Sequence, residues 1–269
     1  MPRHSAFIPH GVIPAVLLPF FDDLSIDEAS YRAHLRDVTS VEGISAITIN
    51  AHSTEAASCT FDEQQRVLAI AQDEIGARVP IVNGVCTDST MEAQRLAKMA
   101  HHGGASALLV FPPGIYAFGQ RPEMAVEHFK RIAGVTDLPL IAFQYPASGS
   151  MGYPLPTLIK MIEAVPAIRA IKDWCGNAQL ADRQIRALQT RTPPVNVLST
   201  HSAWLFSALV LGCNGLLSGS GSVIADLRRR CARRREGVSA QVRCCTLLSR
   251  APTKAFHHPA ATMPYPCAS

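Results

Sequence analysis

Eight short apolar runs recur along this chain about 30 residues apart, each followed by an amphipathic stretch, and that alternation constrains the fold most. The runs are Val12–Leu18, Ile44–Asn50, Pro80–Val85, Ala107–Phe111, Pro139–Phe143, Ile168–Lys172, Val195–Ser199 and Gly215–Ser218. Helical patterns lie between them. Ser25-Ile26-Asp27-Glu28 reads as a capping box that opens a helix to about Val41, and Thr60-Phe61-Asp62-Glu63 opens a second. Ser89–His102, Pro122–Ala133, Pro156–Val165, Asn177–Leu188 and Ser202–Leu211 read as five more. The pattern predicts an α/β protein, a (β/α)₈ TIM barrel over residues 8–226. A doubly wound open sheet is the alternative. It wants a glycine-rich turn after the first strand, where this chain has Pro19-Phe20-Phe21-Asp22.

In a barrel the C-terminal strand ends share one mouth, where reactive groups gather. Lys172 stands at such an end. Of the five lysines, Lys98, Lys130 and Lys160 fall in amphipathic helical text and Lys254 in a polar tail. Lys172 alone closes an apolar run, Ile168-Arg169-Ala170-Ile171-Lys172. Desolvation lowers the pKa of a lysine, and a neutral amine attacks a carbonyl to form a Schiff base. The other reading is a strand-end lysine that reaches solvent or a carboxylate. Tyr145 ends the fifth run and Ser53-Thr54-Glu55 follows the second, so a phenol and two hydroxyls converge on the same mouth. His201 follows the seventh run; it lines the mouth or merely precedes a Ser202 cap. Trp174 and Phe111 wall the pocket or pack its rim. His101-His102 beside Gly103-Gly104 read as the end of a helix, not as metal ligands.

Charge divides the chain. Residues 1–226 hold 16 Lys and Arg against 20 Asp and Glu, whereas residues 227–269 hold 9 against a single acid, Glu236. The body therefore lacks the basic excess of a nucleic-acid binder. Its apolar runs are too short for a bilayer, and Met1–Ser5 begins no signal-peptide core, so no membrane partner and a cytoplasmic location are expected. Four of eight cysteines, Cys59, Cys86, Cys175 and Cys213, read as ordinary thiols of a reducing compartment. After Asp226 the helical periodicity stops at Leu227-Arg228-Arg229-Arg230-Cys231. Residues 227–269 form a basic, Cys-containing tail, read as unstructured or as out-of-frame translation, which leaves the barrel an incomplete or aberrant C-terminal helical region.

These pieces, taken in order, resemble the dihydrodipicolinate synthase / N-acetylneuraminate lyase family of pyruvate-dependent class I aldolases. Gly11-Val12-Ile13-Pro14-Ala15-Val16-Leu17-Leu18-Pro19-Phe20 is similar to the family's first strand, and Ala170-Ile171-Lys172-Asp173 to its Schiff-base strand. Gly212-Cys213-Asn214-Gly215-Leu216-Leu217-Ser218 is similar to its eighth-strand element. The resemblance implies that Lys172 forms an imine with pyruvate or a related 2-oxo acid. It implies that Tyr145 transfers protons, with Ser53 as the third catalytic group, and that no metal or nucleotide cofactor is required. His52, Thr54, Ser150 and Ser218 are the implied substrate-binding residues.

Departures from the family pattern shape the expectation. The family's Gly-Thr-Thr-Gly-Glu loop, which binds the substrate carboxylate, reads Ala51-His52-Ser53-Thr54-Glu55 here. Both glycines are gone, and with them the close approach of backbone amides that glycine permits. His52 replaces the first hydroxyl residue; it is placed to bond the carboxylate, to relay a proton, or to be a plain loop residue. No arginine follows the tyrosine in Ala147-Ser148-Gly149-Ser150-Met151-Gly152. Tyr116 in Pro112-Pro113-Gly114-Ile115-Tyr116 is out of register with the tyrosine that family members lend a neighbouring subunit. The expected activity is therefore a Schiff-base aldolase other than the lysine-pathway synthase. A 2-keto-3-deoxy sugar acid dehydratase and a catalytically defective keto-acid-binding homologue are the alternatives. The family implies a homotetramer or dimer, assembled through C-terminal helices that residues 227–269 do not obviously supply.

Overall fold

A computed structural model describes residue 4, residues 6–146 and residues 148–224. The tail over 227–269, and the readings attached to it, lie outside the described residues. Eight strands, β1 (Gly11–Pro14), β2 (Ile47–Ile49), β3 (Ile81–Val85), β4 (Ala107–Val110), β5 (Leu140–Gln144), β6 (Ile168–Asp173), β7 (Asn196–Ser199) and β8 (Gly215–Ser218), form one parallel sheet. Their order is β1-β8-β7-β6-β5-β4-β3-β2. Between β1 and β2 only isolated parallel bridges occur, Val12 with Ile44 and Ala15 with Thr48, so the barrel is nearly closed. Helices alternate with the strands: α1 (Glu28–Ser40), α2 (Phe61–Glu74), α3 (Thr90–His102), α4 (Pro122–Ala133), α5 (Leu155–Ala164), α6 (Ala178–Gln189) and α7 (Leu205–Leu211). This is the predicted TIM barrel. Among the described residues, no helix is long and apolar enough to cross a membrane.

Two apolar layers hold it together. Alternate strand residues, among them Ile13, Val82, Leu109, Ile141, Phe143, Ala170, Leu198 and Leu217, fill the barrel interior. Their neighbours, such as Leu108, Val110, Leu140 and Ile171, pack outward against Leu68, Leu96, Phe129 and Leu158 of the helices. Each such fully buried aliphatic side chain contributes about 1.5–3 kcal/mol. Strands buried on both faces are apolar throughout, which is why they appear as continuous runs in the sequence.

Helix starts follow local chemistry, with one correction. Thr60 caps α2 through the reciprocal Thr60–Glu63 box, and Ser89 and Asn177 cap α3 and α6. At α1 the cap is Asp27, whose carboxylate accepts from the Ser30 amide, and not Ser25. Residues 25–26 are drawn into extended structure by a bridge between Phe20 and Ile26, and the Asp27 amide donates to Pro19, so the helix opens two residues later.

One irregularity decides the orientation of β6. Leu140 pairs with Ile168, but Ile141 pairs with Ala170, leaving Arg169 as an extra residue on β6. Strand side chains alternate between faces, so one extra residue reverses the parity of everything after it. Ile168 and Ile171 therefore face the helices while Ala170 faces the barrel interior. The same parity turns Lys172 inward.

Candidate active site

At the C-terminal mouth of the barrel a cavity of about 520 Å³ is lined by His52, Phe143, Lys172, Trp174, Thr200, His201, Ser202, Ala203, Ser218, Gly219 and Ser220. A larger groove, about 790 Å³, lies outside the barrel between α2 and α3, lined by residues such as Phe61, Leu68, Arg95 and Met99. No strand end opens into that groove, so the smaller cavity is where the chemistry of the strand termini meets.

Lys172 forms its floor. The residue is 5% exposed, and its Nζ lies 4.1 Å from the centre of the Phe143 ring. Among the described residues, no carboxylate lines the cavity. Burial without a counter-ion disfavours the ammonium and brings its pKa down to about 7. Asp173, next in sequence, has the opposite parity. Its buried carboxylate accepts from the amide and thiol of Cys175 and is pushed up to about 6 by burial. It therefore braces the loop after β6 and does not line the cavity.

Tyr145 follows β5, and its hydroxyl lies 3.1 Å from His52 Nε2. Burial raises the phenol well above its ordinary value, so it stays protonated through neutral pH. Gln144, fully buried, fixes the chain here. It donates to the Tyr153 carbonyl and accepts from the Tyr153 amide, closing the loop after Tyr145. Tyr153 itself is buried against Phe129.

The loop after β2 presents His52, Ser53 and Thr54 as one 3₁₀ turn. Its left-handed residues are Asn50 (φ 49°) and Glu55 (φ 52°), whereas Ala51 is extended at φ −121°. The two positions that lost glycine thus do not require positive φ, and Asn tolerates the left-handed region where it occurs. The Asn50 amide braces the turn by donating to the Gln64 carbonyl and to Asn83 Oδ1. His52 packs its ring 4.6 Å from Phe111 and edge-on to Tyr145, 6.1 Å away. Burial and the nearby Lys172 charge both lower its pKa.

The expected site residues do not all meet. Lys172, His52 and Ser218 line the cavity, and Tyr145 joins them through His52. Ser53 Oγ is buried without a hydrogen-bond partner among the described residues. Thr54 does not reach the cavity: its hydroxyl donates to the Ala51 carbonyl and accepts from the Ala51 amide, which closes the turn. Ser150 is exposed and contributes only its carbonyl, to Gln120 Nε2. Tyr116 is buried in its own chain at 4% exposure, leaving Ile115 and Phe118 outward on that loop. Sequence reasoning gave no site role to Ser220, which joins Ser218 and Ser202 in a run of hydroxyls at 3.2 and 2.9 Å. Its place just past the eighth strand end was the available signal.

A sequence profile of the dihydrodipicolinate synthetase family matches residues 8–247. The chain belongs to this family. It is 30% identical over 210 residues to a 4-hydroxy-tetrahydrodipicolinate synthase of Salinibacter ruber, covering 77% of this chain and 67% of that protein. It is 29% identical over 226 residues to an uncharacterised DapA-like lyase of Halobacterium salinarum, covering 81% and 69%. Solved structures of the dihydrodipicolinate synthase family carry the same barrel. The Aquifex aeolicus dihydrodipicolinate synthase superimposes with a TM-score of 0.79 at 22% identity, covering 89% of this chain and 79% of that one. YagE, an Escherichia coli K12 prophage protein of the family solved in complex with pyruvate, gives 0.82 at 21% identity, covering 90% and 80%.

Proposed function

We propose that this member of the dihydrodipicolinate synthase family is a Schiff-base-forming lyase acting on pyruvate or a related 2-oxo acid. The observation that carries this reading is Lys172, an inward-facing amine at the barrel mouth, buried in a cavity that no carboxylate lines among the described residues, with its pKa brought down to about 7 by that burial. Near neutral pH a large share of it is the nucleophilic free amine. Attack on the ketone and loss of water give a protonated imine, which draws the electron pair of the bond being broken and becomes a neutral enamine. Tyr145, a protonated phenol near the cavity, is the group we assign to proton transfer. The buried Ser53 hydroxyl is the hydroxyl we assign to the substrate carboxylate, after a small shift of the turn.

Among the described residues no arginine lines the cavity, and its wall beyond Lys172 includes hydroxyls, two imidazoles and an indole. Such a wall favours an uncharged distal fragment over a second carboxylate, so we place the activity outside lysine-pathway synthesis. Carbon–carbon cleavage and water loss both pass through the enamine. Incubating the purified chain with a panel of 4-hydroxy- and 3-deoxy-2-oxo acids, and measuring free pyruvate and 2,5-dioxo products separately, distinguishes them. Pyruvate release that disappears in Lys172→Ala supports the lyase. Turnover that persists in that variant overturns the proposal.

A further inference from the structure

Three residues hold His52 in one orientation. Its ring lies against Phe111 from the end of β4 and Phe143 from β5, at 4.6 and 5.9 Å, and Nε2 faces the Tyr145 hydroxyl at 3.1 Å. The residue is nevertheless exposed at the mouth, whereas Tyr145 is half-buried. His52 thus spans the gap between the phenol and solvent. A serine or threonine hydroxyl there passes a proton on but takes up no extra proton near neutral pH; an imidazole does both.

We propose that His52 is the proton reservoir of the site: it takes the Tyr145 phenol proton on Nε2 as the phenol oxygen takes one from the substrate, and it returns that proton in the reverse sense. The inference rests on the imine at Lys172 argued above. In cleavage, the carbon–carbon bond breaks and its electron pair neutralises the iminium as the enamine. The substrate hydroxyl proton moves to the Tyr145 oxygen, and the phenol proton moves to His52, which becomes imidazolium. One positive charge therefore passes from the iminium to His52, and Tyr145 never accumulates as phenolate. Protonation of the enamine carbon reverses the transfer, and the exposed edge of the ring lets His52 exchange with water between turnovers.

The groups facing His52 fit a neutral resting imidazole. Lys172 from β6 lowers its proton affinity, as does burial. Tyr145 is a neutral phenol, and Cys86, which acts on Tyr145 after β3, is a thiol held above its usual pKa. Among the described residues, His201 is the other imidazole lining the cavity, and no carboxylate lines it. Glu55, on the same turn, acts on Cys59.

The test is deuterium exchange into the methyl group of pyruvate in D₂O, followed by proton NMR, in the full chain and in His52→Gln and His52→Ala. Borohydride trapping is run in parallel. Glutamine keeps a polar partner for Tyr145 but holds no proton. The proposal expects both variants to trap pyruvate on Lys172 while exchange falls at least tenfold, towards about 10²-fold. It also expects added imidazole to restore part of the rate in His52→Ala. Trapping with undiminished exchange in His52→Gln overturns the reservoir and leaves the imine standing. Absence of an adduct in the parent protein overturns the imine and the reservoir with it.

Discussion

Lys172 Nζ sits 4.1 Å above the Phe143 ring, and the two residues pair across β5 and β6. The ring affects the amine in two opposed ways. Its face attracts the ammonium, by about 0.5–2 kcal/mol, and its bulk keeps water away. Desolvation is the cause that dominates at Lys172. Phe143→Ala should admit water and raise the Lys172 pKa towards the ordinary 10.5. The rate of imine formation with pyruvate, which should rise through a midpoint near pH 7 in the parent, should then shift its midpoint alkaline by a unit or more. Stopped-flow or trapping rates across pH 5.5–9.5 check this; a midpoint that stays put contradicts desolvation as the cause.

The same burial makes Lys172 a cost to stability. The unfolded lysine keeps its proton up to about 10.5, while the folded one releases it near 7. Between those values the unfolded state binds more protons, so stability rises with pH over that window. Lys172→Met, with similar volume and no charge, should be more stable than the parent at pH 6.5 by about 1–3 kcal/mol. That advantage should shrink as pH climbs to 9. Urea unfolding of both proteins at the two pH values measures it.

Gly84 of β3 passes so close to β2 that any Cβ would collide with the backbone carbonyl of Asn50. Asn50 opens the turn that carries His52 and Ser53, and its side chain bonds Asn83 of the same strand. Gly84→Ala should push that turn outward. The expected cost is about 1–3 kcal/mol of stability, as for other overpacked cores. Pyruvate binding should weaken with it, seen as a raised KM, while the Lys172 adduct still forms at saturating pyruvate.

Much of the barrel was legible because helix and strand periods differ and because α1, α2, α3 and α6 start on a capping side chain. Lys172 and Tyr145 stood out as a charge and a phenol at the ends of apolar strands. The direction in which Lys172 points was not legible. A strand apolar on both faces carries no inward–outward pattern, so the bulge at Arg169 that reverses β6 leaves no trace in the sequence. Thr54 and Ser150 show a second limit. A hydroxyl that closes its own turn looks, in sequence, the same as one offered to a ligand, and only the Thr54–Ala51 bonds separate the two.

The central claim is an imine on Lys172. Sodium borohydride reduction in the presence of pyruvate, followed by intact-mass and peptide mass spectrometry, tests it most directly. The account predicts a reduced pyruvyl adduct on the peptide containing Lys172 and none in Lys172→Ala. A soluble, folded protein that forms no adduct, or forms it on another lysine, contradicts the account.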